Sequence, residues 1–370
     1  MPPSRARRVL VCATGGLGNT VLLLPLLRTL RRGCPEARLD LLLTGGAAAD
    51  LARTLGWADS VLVLPEAEWY RGASILKYFA GPIRRAGYDW VLRTFLTAPA
   101  MARASLAAYL CGAPTRVAYG VSAANPFETH LLSDDDRRPE MERHLALAET
   151  LGLTADRSWR PIAATAEGRA WADRFLAENG AGSGQPVVGF HPGSDPRFLA
   201  KRWPAENFGE LAQRVAQHLG AKGVILGGPD DQPAVEATVR SAGPAAFPAL
   251  GQGMAETLGL IERCAAFVTN DSGLMHAASA LGVPTLALFG PTDPIKNRPL
   301  DPGTRILRLG LECSPCTKQH AIQVCDHHDC LMKLSVPMVY AALERLWSER
   351  AARNPTGSVG PAGEGTACVG

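Results

Sequence analysis

Residues 266–293, AFVTNDSGLMHAASALGVPTLALFGPTD, decide the fold class of this chain. An apolar strand is predicted from Ala265 to Val268, followed by the polar turn 270–273 and a helix that ends near Gly282. A second apolar strand is predicted from Thr285 to Phe289. Strand, turn, helix and strand in this order indicate a βαβ unit of a parallel sheet.

The turn of this unit is a candidate phosphate site. Backbone N–H groups at a helix start have no partner within the helix, and they suit an anion. Ser272 is a predicted N-cap, and His276 lies one turn further on along the same helical face. In α/β domains such turns meet ligands at the carboxyl edge of the sheet. The turn therefore predicts a phosphate contact, although a capped helix without a ligand would show the same local pattern.

Size and composition indicate a globular chain of more than one domain. The chain has 370 residues, of which 46% are apolar and 20% are charged. A chain of this length rarely folds around a single hydrophobic core. The formal net charge is only +3 at pH 7, and no Lys/Arg-dense run with interleaved aromatics occurs. We therefore expect no nucleic-acid partner.

Cysteine usage and the N-terminal segment point to the cytoplasm. The N-terminal segment MPPSRARRVLVCATGG is basic, but its short apolar run meets glycines instead of a cleavage site. Nine cysteines without an export signal argue against a disulfide scaffold, and no stretch is long and uncharged enough to cross a bilayer. We expect a cytoplasmic monomer, with peripheral contact at the inner face of a membrane left open.

Alternating strands and helices restart after a glycine-rich linker signal, NGAGSGQP, near residues 180–186. We predict an α/β fold of two Rossmann-like, doubly wound parallel-sheet domains that face a cleft. The expected boundaries are 1–178 for the N-terminal domain and 185–333 for the C-terminal domain. Residues 351–370 are expected to be a disordered tail.

A second cluster of candidate residues lies in the segment that follows the strand PVVGFH. His191, Gly193, Ser194 and Asp195 come directly after that strand, so they belong to its binding edge. Lys201 and Arg202 precede a helix, and two cations beside a positive helix end repel each other unless an anion lies between them. This pattern also predicts a phosphate, with solvated loop charges as the alternative.

Two further turns follow strands. Gly16, Gly18 and Asn19 lie in the glycine turn after the first strand, where glycines allow a close approach of the backbone to a ligand. The turn is not G-x-G-x-x-G, so no dinucleotide fingerprint is present. Gly228 and Asp230 follow another strand, and Asp230 is a candidate for ribose hydroxyls or for capping the next helix.

Four thiols near the C-terminus have a spacing compatible with a structural zinc ion. They are Cys313, Cys316, Cys325 and Cys330. The second pair is more widely spaced than in a standard zinc ribbon. Reduced packed thiols or a disulfide would fit the same spacing.

These turns together resemble those of glycosyltransferase family 9, the bacterial heptosyltransferases of the lipopolysaccharide inner core. The matching segments are GGLGNTVLLLPLLRTLRR, HPGS…KRWPAENFGELA, LGGPDD, TNDSGLMHAASALGVPTLALFGPTDP and CSPC…CL. The resemblance implies a GT-B fold and inverting transfer of heptose from ADP-heptose to a sugar hydroxyl, without a required divalent metal or other cofactor. It also implies that a final helix, 335–350, packs back on the N-terminal domain.

The resemblance assigns roles to individual residues. Lys201 resembles the lysine that binds the donor diphosphate, and Asp230 stands where an acidic residue contacts ribose. The diphosphate- and sugar-binding turn corresponds to Asn270, Asp271, Ser272, Gly273 and His276. Ser194 corresponds to a further phosphate contact, beside the donor-site candidates His191, Gly193, Arg202 and Gly228. Gly16, Gly18 and Asn19 would face a glycan or other hydroxyl acceptor.

One position departs from the family pattern. The family carries an aspartate, the general base, where this chain has Asn19. A neutral amide does not take a proton from an acceptor hydroxyl. Asn19 would then position the acceptor with Asp195 or another carboxylate as base, or transfer would run with little base help. A sugar-nucleotide-binding protein without turnover and a sugar-nucleotide epimerase are also compatible with an asparagine at this position.

Overall fold

The computed structural model describes residues 6–70, 72–94, 98–120, 127–133, 138–182, 184–316, 325 and 327–353. The chain forms two compact units that meet in sequence at Ser158 and Trp159. Each unit contains a parallel sheet of six strands. The predicted α/β class with two doubly wound parallel sheets is therefore confirmed.

The sheet of the N-terminal unit has the strand order β3-β2-β1-β4-β5-β6. Its strands are β1 Arg8–Cys12, β2 Arg38–Leu43, β3 Ser60–Val63, β4 Trp90–Arg93, β5 Thr115–Gly120 and β6 His130–Ser133. Its helices are α1 Leu17–Leu22, α2 Leu24–Gly33, α3 Gly46–Thr54, α4 Glu66–Tyr70, α5 Gly72–Tyr78, α6 Arg84–Ala86, α7 Ala98–Leu110 and α8 Glu140–Glu149.

The sheet of the C-terminal unit has the order β12-β11-β10-β7-β8-β9. Its strands are β7 Val187–His191, β8 Lys222–Gly227, β9 Ala246–Leu250, β10 Ala266–Asn270, β11 Thr285–Leu288 and β12 Arg305–Leu307. Its helices are α9 Ala166–Glu178, α10 Ala205–Leu219, α11 Gln232–Ala242, α12 Met254–Arg263, α13 Gly273–Ala280, α14 Asp329–Met332 and α15 Val336–Arg353. None of the helices in the described ranges is long and apolar enough to span a membrane.

Alternating side chains of the strands build a core on each face of a sheet. In β1, Val9 and Val11 pack into one cluster, while Leu10 and Cys12 pack into the cluster on the opposite face. Both faces of the central strands are covered, so strands such as β1 are apolar after their first residue. Only their carboxyl ends, where the loops begin, can carry polar side chains toward a ligand.

The boundary between the units lies earlier than expected. We predicted that residues up to 178 belong to the N-terminal domain, but α9 is part of the C-terminal unit. A Cβ atom built on Gly259 of α12 would lie 2.1 Å from the carbonyl oxygen of Gly168 in α9, so these helices are in backbone contact. Arg263 also donates to Asp173 at 2.6 Å. The described residues of the glycine-rich segment, 180–182 and 184–186, therefore lie in loops within the C-terminal unit.

The last helix also differs from the expectation. The resemblance implied packing of residues 335–350 on the N-terminal domain, whereas Val339 and Leu343 of α15 are fully buried in the C-terminal core. They share that core with Val215 of α10 and Leu286 of β11. An apolar stripe shows that one side of a helix is buried, but it does not identify the sheet. The helix runs to Arg353, and the rest of the expected tail lies outside the described residues.

Candidate functional site

The strand order of the C-terminal unit brings three candidate turns to one edge. β7 lies between β10 and β8, and this is the point where the strand order reverses. Parallel strands end on the same side of a sheet. The segment after His191, the turn after Asn270 and the turn after Gly227 are therefore neighbours, as the sequence predicted.

The turn after β10 has the capping geometry that an anion site requires. Ser272 has extended backbone angles, φ −148° and ψ 172°, and its hydroxyl accepts a hydrogen bond from the Met275 N–H at 3.4 Å. This satisfies one of the first N–H groups of α13 and fixes the direction of the helix start. The positive end of α13 is thereby presented at the carboxyl edge of the sheet.

Lys201 lies at this helix start. Its ammonium nitrogen is 3.1 Å from Oδ2 of Asp271, the residue before the N-cap, and 5.7 Å from the centre of the Phe198 ring. Asn297 also donates to Asp271 Oδ2, at 3.4 Å. The Lys201 side chain is only 17% exposed, so the pair is mostly shielded from water. The predicted diphosphate lysine and the predicted diphosphate turn are thus in direct contact.

Asn270 has a structural task in this site. Its Oδ1 accepts from the Trp203 N–H at 3.0 Å, and its amide donates to the carbonyl oxygens of Pro192 and Gly193 at 2.9 and 3.2 Å. The side chain is completely buried. Asn270 therefore ties the segment that carries Lys201 to the end of β10, and its polar atoms are already in use.

His276 has an unusual environment. It is 5% exposed, and its Nδ1 has no hydrogen-bond partner among the described residues. Burial lowers the pKa of His276 to about 4; the Asp271 carboxylate opposes this shift and the Lys201 cation adds to it. The imidazole is therefore neutral at physiological pH, with an unsatisfied ring nitrogen beside the anion-facing turn.

Arg202 does not have the free guanidinium that the sequence suggested. It donates to Asp231 Oδ1 at 2.8 Å and to the backbone oxygen and the hydroxyl of Ser194 at 2.9 and 3.2 Å. The charges of Lys201 and Arg202 are thus balanced by two carboxylates of the protein itself, Asp271 and Asp231. Repulsion between the two cations, the reason given for predicting a phosphate between them, is therefore already relieved by the protein.

Asp231 is a site residue that the sequence pattern did not indicate. Asp230, the predicted ribose contact, is exposed, whereas Asp231 is buried and accepts from His191 Nε2 at 3.3 Å and from the Gly228 N–H at 3.2 Å. Burial alone raises the pKa of Asp231, but the partners His191, Gly228 and Arg202 outweigh it and hold the pKa below its ordinary value. The carboxylate is therefore ionised. Two adjacent aspartates gave no sequence signal to separate these roles.

Asp195, one of the predicted bases, is bound by its neighbour. Arg197 donates to both carboxylate oxygens, at 3.1 and 2.8 Å. Burial raises the pKa of Asp195, but Arg197 and the nearby Lys201 outweigh it, so the pKa lies below the ordinary value. A carboxylate held in this way is ionised but accepts a proton less readily than a free one.

The glycine turn of the N-terminal unit places Asn19 at its surface. Asn19 is exposed on α1, and its amide packs over Gly15, which has a left-handed φ of +106°. A Cβ atom on residue 15 would lie 2.2 Å from Asn19 Nδ2, and the positive φ would strain any residue other than glycine. Gly16 is the N-cap residue of α1 and Gly18 lies within that helix.

The predicted zinc site is not supported by the described residues. Within them, no group of three or more His, Cys, Asp or Glu side chains is arranged to hold a metal ion. Cys313 is exposed and Cys330 is buried, while Cys316 and Cys325 are half-buried free thiols. Burial, together with the other three thiols, raises the pKa of Cys330 to about 11.

The cysteine segment instead supports the loop after β11. The Cys316 N–H donates to the carbonyl oxygen of Pro291 at 2.7 Å, and the Ser314 hydroxyl donates to that of Gly290 at 2.5 Å. These bonds fix the start of the loop that carries Asn297. Spacing of cysteines alone could not distinguish this packing from metal binding.

Comparison with known proteins decides the family. The model of "Glycosyltransferase family 9 (heptosyltransferase)" matches residues 75–325, more than half of the chain. The chain belongs to glycosyltransferase family 9. The family assignment made from the sequence motifs is thereby confirmed, and with it the classification as a glycosyltransferase.

Relatives of this family 9 chain match along nearly its whole length. Lipopolysaccharide heptosyltransferase 2 of Salmonella typhimurium is 28% identical, covering 92% of this chain and 99% of the relative. The crystal structure of a family 9 glycosyltransferase from Veillonella parvula is 25% identical, with a TM-score of 0.80, and covers 94% and 98% of the two chains. The structure of E. coli ADP-heptose lps heptosyltransferase II has a TM-score of 0.72 at 23% identity, covering 92% and 99%. These likenesses confirm the predicted GT-B fold.

Proposed function

We propose that this family 9 enzyme transfers a heptose from ADP-heptose to a lipopolysaccharide acceptor, with inversion at the anomeric carbon. The contact between Lys201 and the capped start of α13 carries the proposal. A cation and a positive helix end at one point are suited to the diphosphate of a nucleotide sugar. The ADP-heptose donor of the E. coli relative and the lipopolysaccharide acceptor of the Salmonella relative support this choice of substrates.

In the proposed mechanism, the diphosphate leaves as the bond to the anomeric carbon breaks, and the acceptor oxygen forms the new bond from the opposite face. Negative charge then grows on the diphosphate oxygens. Lys201 and the N–H groups of Ser272 and Gly273 bind that charge more strongly in the transition state than in the ground state. The neutral His276 offers its unsatisfied ring nitrogen to the donor, and Asp230 accepts from the ribose.

The N-terminal unit is proposed to bind the acceptor through the turn of Gly16, Gly18 and Asn19. Asn19 orients the acceptor hydroxyl, because its amide can donate and accept hydrogen bonds but does not act as a base. The proton leaves to an ionised carboxylate, or to water late in the reaction. Stabilisation of the negative charge on the departing diphosphate therefore contributes most of the rate enhancement.

A single-turnover assay tests the proposed function. We expect excess enzyme to transfer labelled heptose from ADP-heptose to a heptose-acceptor lipopolysaccharide core, with equal yield in the presence of EDTA. The reason for the second result is that Lys201 and the start of α13 supply the positive charge that a divalent metal would supply. Loss of transfer on chelation, restored by Mg²⁺, would contradict the metal-independent mechanism.

Asn19 favours a second candidate function, donor binding without turnover. The two are distinguished by comparing calorimetric binding of ADP with transfer in the same preparation. Tight binding without transfer to any acceptor would support the second candidate. Transfer of heptose supports the first.

The Asn19→Asp substitution tests the role of the amide. We expect transfer to be retained or to rise by up to about tenfold, because a carboxylate can orient the acceptor and also take its proton. Asn19→Ala removes both capacities and should lower kcat with little change in the affinity for ADP. Complete loss of transfer in Asn19→Asp would show that the amide itself is required.

A further inference from the structure

Three buried polar side chains at the carboxyl ends of adjacent strands form one hydrogen-bonded chain. Asp231 Oδ2 lies 3.3 Å from His191 Nε2, and His191 Nδ1 lies 3.0 Å from the Ser272 hydroxyl. The three residues are 8%, 4% and 8% exposed. The chain ends at the N-cap of α13, where the Ser272 oxygen receives the Met275 N–H.

The ionised Asp231 determines which nitrogen of His191 carries the proton. A carboxylate only accepts hydrogen bonds, so Nε2 must donate to it. When Nε2 carries the proton and Nδ1 does not, Nδ1 accepts, and the Ser272 hydroxyl at 3.0 Å can donate to it. Thr269 Oγ1 lies farther from Nδ1, at 3.4 Å, and donates to the carbonyl oxygen of Asn270 at 2.9 Å. It also lies 3.1 Å from the Ser272 oxygen, so His191 Nδ1 is the nearer of the two side-chain neighbours of that hydroxyl.

The surroundings fix Asp231 in this orientation. Arg202 and the Gly228 N–H donate to its two oxygens. Its carboxylate packs directly against the backbone of Gly193, where a Cβ atom would lie 2.2 Å from Asp231 Cγ. The glycine after the end of β7 therefore leaves the space that the carboxylate fills.

We propose that His191, oriented by Asp231, is a positioning residue for the donor site. By accepting the Ser272 proton, it holds the hydroxyl turned toward the protein interior, so that the oxygen lone pairs face the Met275 N–H. The start of α13 is thereby rigid before the anion arrives, and the ordering cost of binding is lower. The inference rests on the proposed function only for the identity of the anion, the diphosphate of ADP.

A double-mutant cycle on ADP affinity tests this pathway. We expect His191→Phe and Ser272→Ala each to weaken calorimetric binding of ADP by about fivefold, the size of a lost N-cap. The double variant should bind ADP no more weakly than the weaker single variant, because both changes remove the same contact. Losses that multiply in the double variant would overturn the proposal.

A control variant separates this effect from the general loss of a polar contact in the C-terminal unit. Asp173 pairs with Arg263 on helices α9 and α12, at 2.6 and 2.7 Å, and touches none of the site residues above. We expect Asp173→Asn to leave ADP affinity unchanged. A loss of affinity equal to that of His191→Phe would show that the assay reports general stability.

The protonation state of His191 gives a second test that needs no ligand. Spectra of the ¹⁵N-histidine-labelled full chain, assigned by the signal lost in His191→Phe, should show the proton on Nε2 and none on Nδ1. The Asp231→Ala variant should shift this signal toward a mixture of the two neutral forms. A wild-type imidazole protonated on Nδ1 would overturn the proposal, even if ADP failed to bind and the proposed function itself were wrong.

Discussion

Replacing Lys201 with alanine should lower kcat for heptose transfer by about 10²- to 10³-fold, the effect of removing one group that binds charge in a transition state. The substitution removes the ammonium group that lies 3.1 Å from Asp271 at the start of α13. It also leaves the 5% exposed Asp271 without its cation, so a diphosphate would meet an unbalanced carboxylate. Steady-state kinetics with ADP-heptose measures the effect. We expect kcat to fall more than the affinity for ADP.

Lys222 provides a matched control for the removal of one lysine charge. It lies at the start of β8, at the opposite end of that strand from the site, and its ammonium group donates to the Pro244 carbonyl oxygen at 2.9 Å. Lys222→Ala should retain full transfer. An unchanged kcat in Lys201→Ala would remove this lysine from the mechanism.

The second large effect concerns stability. Trp203→Ala should lower the free energy of unfolding by about 3–5 kcal/mol, because it opens a cavity in the C-terminal core. Trp203 is 1% exposed, packs edge-on against Phe208 with ring centres 4.9 Å apart, and donates through Nε1 to the Leu334 carbonyl oxygen at 2.7 Å. Urea unfolding followed by circular dichroism measures the loss.

Two other variants define the origin of this effect. Trp203→Phe keeps most of the buried volume but leaves the Leu334 carbonyl oxygen unpaired, so we expect a smaller loss of about 1–2 kcal/mol. Trp159→Ala removes a tryptophan that is 38% exposed and should cost under about 1 kcal/mol. Equal losses in Trp159→Ala and Trp203→Ala would contradict the assignment of Trp203 to the core.

Local sequence patterns were sufficient to predict those parts of the site that are formed by residues close together in the sequence. The strand before Asn270, the N-cap at Ser272 and the position of His276 one turn later all follow from spacing along a strand and a helix. The contact between Lys201 and the turn also followed, because two segments after parallel strands must meet at one edge. These predictions needed no knowledge of the partners of individual side chains.

The errors arose where a distant partner decides the role of a residue. Arg202 looked like a free cation until its contact with Asp231, 29 positions away in sequence, was known. Asp230 and Asp231 are chemically identical neighbours, and only the short helical turn Pro229–Asp231 places one in solvent and the other against His191. The sequence likewise did not show on which sheet α15 packs, because the residues that it contacts are distant in sequence.

The position of α15 affects how the protein folds during synthesis. The two N-terminal clusters contain residues only from Ala6 to Leu153, so this part can become compact while the ribosome is still translating. The C-terminal cluster instead includes Leu343 and Leu346 of α15, which are synthesised after every strand of that sheet. Until then the apolar surface under α15 stays open to water, and this nascent chain is the form that chaperones must protect from aggregation.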